Sequence, residues 1–191
     1  MPTPTCETQL IGLIDDLSQG LESNTQIDAI LLDFSKAFDK VHHTSLLKKL
    51  KFFGISGPLH QWIQDFLIGR EQTVIVNGSK SSSITVNSGV PQGTVLGPLL
   101  FLIYINDLPN CIKIETKVRL FADDCLTYRT IKTEKDSEVL QQDLDELQKW
   151  ESNWSMSFHP EKCQLQRVSK KKKQITVASL VPYISVSKTF W

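Results

Sequence analysis

Three carboxylates define the chemistry this sequence could perform. Asp33 closes the apolar run Ile27-Asp-Ala-Ile-Leu-Leu-Asp33, and Asp123-Asp124 follows ninety residues later between two β-rich arms. Adjacent carboxylates in a tight turn repel unless a cation sits between them. Mg²⁺ binds hard oxygen ligands and typically keeps one or two carboxylates plus substrate phosphates. Acids delivered by two neighbouring strands therefore suit a pair of divalent ions acting on a phosphoryl-transfer substrate. An Asp-Asp pair also occurs in ordinary turns, where Asp satisfies its own backbone. The second acidic strand end and the Gly/Pro-rich segment between the two sites favour the chemical reading.

That segment, Ser88–Pro98, suits neither a helix nor a strand interior. Gly89 and Gly93 permit positive φ and close backbone approach to a ligand. Pro91 stiffens the turn, and Gln92 offers both a donor and an acceptor. Other polar and aromatic residues read more plainly. Taken alone, Phe38 is a core ring beside a strand end and Lys162 a surface lysine. Asp39 is expected to support a turn, and His42 and His43 to be exposed residues before a helix capped by Thr44. Trp150 and Trp154 continue an apolar helix stripe, and Cys163 is expected to be structural.

The elements that must position these groups follow from periodicity. Leu10, Leu13, Ile14, Leu17 and Leu21 predict a helix over 6–21. Residues 27–33 read as a buried strand delivering its final acid to an edge. Thr44 is expected to cap a helix carrying Leu46, Leu47, Leu50 and Phe53, stopped by Gly54. Pro58 opens another, with Trp62, Ile63, Phe66 and Leu67 on one face. Residues 72–77 and 83–87 predict a hairpin about a Gly-Ser-Lys-Ser turn. Leu99–Ile105 reads as a buried helix. Residues 117–122 and 125–131 form a hairpin with both acids at its tip, and residues 139–154 form a long amphipathic helix. Gln174–Trp191 shows no clear period.

Composition bounds the remainder. The 191 residues are 40% apolar and 22% charged, which excludes a wholly disordered or fibrous chain. No apolar run approaches the length of a membrane span, and no secretory signal is visible at the amino terminus. The four cysteines form no CxxC pair, so an intracellular, reducing compartment, nucleus or cytoplasm, is expected. The zero net charge hides an asymmetry: the first 161 residues carry net −7, and the rest of the sequence holds seven basic residues and no acid. Lys170–Lys173 suits either a solvated loop or a phosphate-facing segment.

Three ordered segments, Leu32-Asp-Phe-Ser-Lys-Ala-Phe-Asp39, Ser88-Gly-Val-Pro-Gln-Gly-Thr-Val-Leu-Gly-Pro98 and Leu120-Phe-Ala-Asp-Asp124, closely resemble motifs of reverse transcriptases of the non-LTR, LINE-type retrotransposon branch. Leu99–Pro109 and Trp154–Cys163 resemble that branch too. The resemblance implies an α+β fold: a right-hand polymerase palm, an antiparallel sheet backed by helices. It covers residues 1–173, with 174–191 as a divergent tail. It implies two Mg²⁺ ions, with Mn²⁺ as a substitute, held by Asp33, Asp123 and the Phe34 carbonyl, with Asp124 as a supporting acid. It further implies that Phe38 blocks a ribose 2′-hydroxyl and that Gly89, Pro91, Gln92 and Gly93 line the nucleotide and template pocket. Lys162 would donate a proton to leaving pyrophosphate. RNA template, DNA primer and dNTPs are the implied partners.

The sequence departs from the family pattern at both ends. Only five residues precede Cys6, where the family has a fingers region, and the likeness fades after Lys173, where a thumb would follow. The expectation is a palm-centred piece with fingers and thumb largely missing. Its function is that of an RNA-directed DNA polymerase domain, weak or inactive alone. The alternative is a catalytically silent remnant that at most binds nucleic acid or a partner. A metal-dependent phosphodiesterase would leave Ser88–Pro98 unexplained.

Overall fold

A computed structural model describes residues 6–170, 175 and 185–190, and the chain divides into two compact units. The first comprises residues 1–35, 108–152 and 157–191. The second comprises 36–107 and 153–156.

The first unit is built on a five-stranded sheet. Its strands are β1 (Gln26–Asp33), β6 (Lys117–Phe121), β7 (Asp124–Ile131), β8 (Gln164–Val168) and β9 (Ser185–Phe190), numbered along the whole chain and ordered β6-β7-β1-β8-β9. The pairings are antiparallel except β8 with β9, which is parallel. β1 is paired along both edges and nearly every position is buried, which explains its continuous apolar run. One face carries Ile27, Ala29 and Tyr128, packed against Leu13 and Leu17 of helix α1 (Cys6–Glu22). The other carries Ile30, Leu32 and Phe34. Phe34 meets Trp150 of the long helix α5 (Glu134–Trp154) and stacks on Phe158 at 4.6 Å.

On that second face a fully buried Asp28 accepts from Arg167 Nε at 2.8 Å and Nη2 at 3.0 Å, and from Gln26 at 2.8 Å. This bidentate pair ties β1 to β8 in register. β8 and β9 carried no readable period: β8 is only five residues long, and β9 lies in the stretch left unassigned. The described residue of that stretch before β9, Ile175, exchanges hydrogen bonds with the Gln26 side chain. Residues 171–173, together with 174, 176–184 and 191 of the expected tail, lie outside the described residues.

The second unit contains α2 (His43–Phe52), α3 (Gly57–Leu67) and α4 (Leu96–Ile105). It also contains four two-residue strands: β2 (Glu71–Gln72), β3 (Ile75–Val76), β4 (Ser79–Lys80) and β5 (Ile84–Thr85). Pro58 stands in the first turn of α3, as expected. Two readings are corrected. α2 begins at His43, after His42, with no side-chain cap from Thr44. The inner hairpin turns at Asn77-Gly78, both at positive φ, and not about residues 78–81. Asn-Gly is the dipeptide that a two-residue turn of this hand demands. α4 starts three residues earlier than its apolar run and is buried along only one side: Leu100, Phe101 and Tyr104 are covered, Leu99 and Leu102 exposed. Lys49 is buried and lies over the Trp154 ring at 3.6 Å, so this tryptophan serves the second unit. Among the described residues, no helix is long and apolar enough to cross a membrane.

Candidate active site

β1 ends where it must release its acid. Past Asp33 the chain makes one isolated bridge, Phe34 to Phe158, and then turns, with Lys36 at φ 51°. In the bridge, His159 N donates to Asp33 O at 2.7 Å and Ser35 N donates to Ser157 O at 2.8 Å. Successive carbonyls of an extended chain point to opposite edges. The Phe34 carbonyl is therefore directed to the β7 side, while its ring is fixed in the core.

The β6–β7 hairpin delivers the other acids. Phe121 pairs with Asp124, so the turn itself is Ala122-Asp123, with Ala122 at φ 51°. The two acids do not share the tip. Asp123 is half-buried in the turn, whereas Asp124 is the first residue of β7 and stands directly opposite Asp33. Opposed residues of an antiparallel pair hold their Cβ atoms about 5 Å apart, and like charges there are destabilising without a counter-charge. One counter-charge is present: Lys162 Nζ lies 3.2 and 3.3 Å from the two Asp33 oxygens. A cavity of about 390 Å³ opens at this corner, lined by Leu13, Leu31, Asp33, Phe121, Asp124 and Lys162. Among the described residues, no three His, Cys, Asp or Glu side chains converge as a ready-made metal cage. The donor set still fits hard divalent ions, which need only one or two carboxylates beside substrate oxygens.

The second unit holds the Gly/Pro segment by its backbone. Gly89 N donates to Val41 O at 2.8 Å and Val90 N to Phe38 O at 2.9 Å. Gly89 has φ +90°, and a Cβ there would meet Asp39 O at 3.1 Å and Asp39 Cα at 3.2 Å. Its missing side chain is thus used by the Phe38–Asp39 backbone. Gly93 also has positive φ, with open space around it. Gly97 was not foreseen: a Cβ there would lie 2.5 Å from the Pro91 carbonyl, so the loop lies directly on the first turn of α4. Phe38 is half-buried and stacks on Phe101 at 4.7 Å. Gln92 donates to the Asp39 carboxylate at 3.4 Å.

His43 is the largest departure from expectation in this unit. It is 4% exposed, and its Nε2 lies 2.8 Å from the Gly89 carbonyl. Because a carbonyl only accepts, Nε2 carries the proton. Burial, with help from the nearby Arg70 charge, holds the imidazole pKa below its usual value despite the Gly89 bond. Arg70 Nη2 approaches the same carbonyl at 3.4 Å. Arg70 and Lys36 line a cavity of about 740 Å³ with Asp39, Gly89, Pro91 and Gln92. Neither cation was singled out from the sequence, since an isolated Arg after Gly69 and a Lys in a turn carry no pattern.

A family model described as reverse transcriptase (RNA-dependent DNA polymerase) matches residues 5–180. The chain is 36% identical over 163 residues to an RNA-directed DNA polymerase from mobile element jockey of Drosophila funebris, covering 81% of this chain and 18% of that protein. A jockey polymerase of Drosophila melanogaster is 32% identical over 162 residues, with the same coverage. The chain thus spans less than a fifth of the length of these relatives. Among solved structures, apo telomerase from Candida tropicalis, truncated of its C-terminal domain, superposes with a TM-score of 0.65 at 10% identity. The match covers 90% of this chain and 37% of that one, and the shared fold is a partial polymerase palm.

Proposed function

Because the chain belongs to the reverse transcriptase (RNA-dependent DNA polymerase) family, we propose that it is the palm region of an RNA-directed DNA polymerase. Residues 1–173 form that region and 174–191 a divergent tail. The observation that carries the reading is Asp33 standing opposite Asp124 at the open end of two central strands, with Asp123 in the adjoining turn. The reaction is attack of a primer 3′-hydroxyl on the α-phosphate of a dNTP, with pyrophosphate leaving. Two Mg²⁺ ions, or Mn²⁺, held by Asp33, Asp123 and the Phe34 carbonyl, would lower the pKa of the attacking hydroxyl and neutralise the phosphate oxygens. Asp124 adds a negative charge beside Asp33 that strengthens the site for a cation. Phe38, kept in place by Phe101, excludes a ribose 2′-hydroxyl. Gly89, Pro91, Gln92 and Gly93 line the pocket for nucleotide and RNA template. Lys162 stands on the Asp33 side, where it can give a proton to the leaving pyrophosphate.

Phosphoryl transfer is catalysed almost wholly by positioning and charge. Loss of orientation alone can forfeit about 7 kcal/mol of barrier reduction. The 191-residue chain alone is therefore expected to extend a primer feebly or not at all. Primer extension on an RNA template with Mg²⁺ or Mn²⁺ tests both statements. The chain is assayed alone and in place of the matching segment of the Drosophila funebris jockey polymerase, each with Asp123→Ala as blank. Extension by the chimera and none by its blank is the expected result. A soluble chimera no more active than its blank overturns the polymerase reading. Robust extension by the chain alone overturns the expectation of feebleness.

A further inference from the structure

We infer that Lys162 is a built-in counter-cation for Asp33, one that a divalent ion must displace, so that it sets the metal affinity of the site. The inference rests on the metal reading of Asp33 proposed above. The turn that carries Lys162 is fixed to Asp33 by the backbone, and the ammonium reaches the carboxylate on an exposed side chain. His159 N donates to the Asp33 carbonyl, and the His159 carbonyl accepts from Lys162 N at 3.0 Å and Cys163 N at 3.2 Å. The turn bearing the ammonium is thus suspended from the residue whose carboxylate the ammonium neutralises. The Nζ stands nearly equidistant from both oxygens, which is where a cation shared by both would sit.

The exchange has a definite direction. Asp33 and Asp124 are opposed carboxylates, and Lys162 is the cation within ion-pair distance of Asp33 among the described residues. A divalent ion brings two charges to the same oxygens, so the ammonium must leave them. Lys162 is 59% exposed and Asp33 27%, so the ammonium can swing into water at little desolvation cost. Once released it remains tethered beside the metal, free to meet an anionic oxygen of the substrate. The cost of displacement is small because the pair is exposed: such pairs contribute up to about 1 kcal/mol, equivalent to about fivefold in affinity.

Mn²⁺ binding to the 191-residue chain, read from the electron paramagnetic resonance signal of free Mn²⁺ at fixed ionic strength, tests the exchange without any need for activity. Lys162→Gln is expected to bind Mn²⁺ about three- to fivefold more tightly than the natural chain, and Lys162→Arg to bind within twofold of it. Lys149→Gln is the control for net charge alone, since Lys149 pairs with Glu146 on an exposed helix face; its affinity is expected to match the natural chain. Unchanged or weaker binding by Lys162→Gln overturns the inference. Equal tightening by Lys149→Gln does so too, because the effect would then be general electrostatics. Asp33→Asn separates the two levels of the argument. If Mn²⁺ affinity is indifferent to that change, the metal reading itself fails and the exchange with it. If Asp33→Asn abolishes binding while Lys162→Gln leaves it alone, only the exchange fails.

Discussion

At the scale of single residues, environment decides which groups are available for chemistry. Cys125 is fully covered, and burial pushes its thiol up to about 12, with the Thr127 contact offsetting only part of the rise. Burial also raises Cys163, while Cys111 is half-buried and donates to the Leu108 carbonyl. Alkylation at pH 8 followed by mass spectrometry is expected to modify Cys111 at least tenfold faster than Cys125 or Cys163, because the thiolate is the reactive form. Comparable rates in the folded protein would contradict the burial argument. Phe38 carries a second expectation. In the jockey chimera, Phe38→Val should raise ribonucleotide incorporation while deoxynucleotide use stays within a few-fold. Equal discrimination by both would return Phe38 to a purely packing role. Asp33 and Asp123 could be singled out in the sequence as acids at the ends of apolar runs, whereas Phe38, a core ring when taken alone, was picked out only by the family resemblance. The role of His43 was not: one of two adjacent histidines is buried only because Gly89, 46 positions later, presents a carbonyl to it.

At the scale of elements, α1 is fastened to the hairpin that carries the acids. Asp16 accepts from Tyr128 at 2.6 Å, from Arg119 at 3.2 Å and from Lys117, and Arg119 Nε donates to Tyr128 at 2.8 Å. Burial would raise the Asp16 carboxyl, yet the Lys117 and Tyr128 bonds, the Lys117 charge and the Arg119 bond together hold it below the usual 3.8. A carboxyl depressed in the folded state is protonated first in the unfolded chain. Its stabilisation is therefore present above pH 3.8 and is lost as pH falls through the lower folded value. Asp136, which accepts from Thr133 and Lys132 at the start of α5, is shifted the same way. Melting temperatures from pH 6 down to pH 2 should fall steeply below pH 4 in the natural chain and less steeply in Asp16→Asn, which loses one such group. Parallel curves would remove Asp16 from the account. The buried pair of β1 and β8 makes a larger claim. Arg167→Met leaves Asp28 buried without its cation, a change that costs about 3–5 kcal/mol, readable by denaturant unfolding. A loss under 1 kcal/mol would show that the pair is not buried in solution. The elements themselves were legible where a helical period ran long enough, as in α1 and α5, or where a continuous apolar run marked a buried strand, as in β1. Their register was not: a continuous apolar run places Asp33 at the end of a strand but does not say that Asp124, and not Asp123, stands across from it.

At the scale of the whole molecule, the central strand of the sheet is made long before the strands that complete it. β1 ends at residue 33, its partner β7 begins at 124, and its other partner β8 ends at 168. Closing such long loops before any contact rewards them slows folding. At translation speeds of about 5–20 residues per second, the interval from residue 33 to residue 168 lasts roughly 7–27 s. Until β7 has been made, Ile27–Leu32 is an unpaired strand with both edges open, and until β8 follows one edge stays open, the kind of segment that recruits other chains. Shielding of the nascent chain over that interval is expected to limit such recruitment. In ribosome-bound intermediates stalled at successive lengths, protease resistance of residues 26–33 is expected only after β8 has left the exit tunnel. Resistance already at the length that exposes α3 would show that β1 finds cover before its own partners exist. The carboxylate that starts the site is synthesised well over a hundred residues before the strand that finally fixes its position is complete.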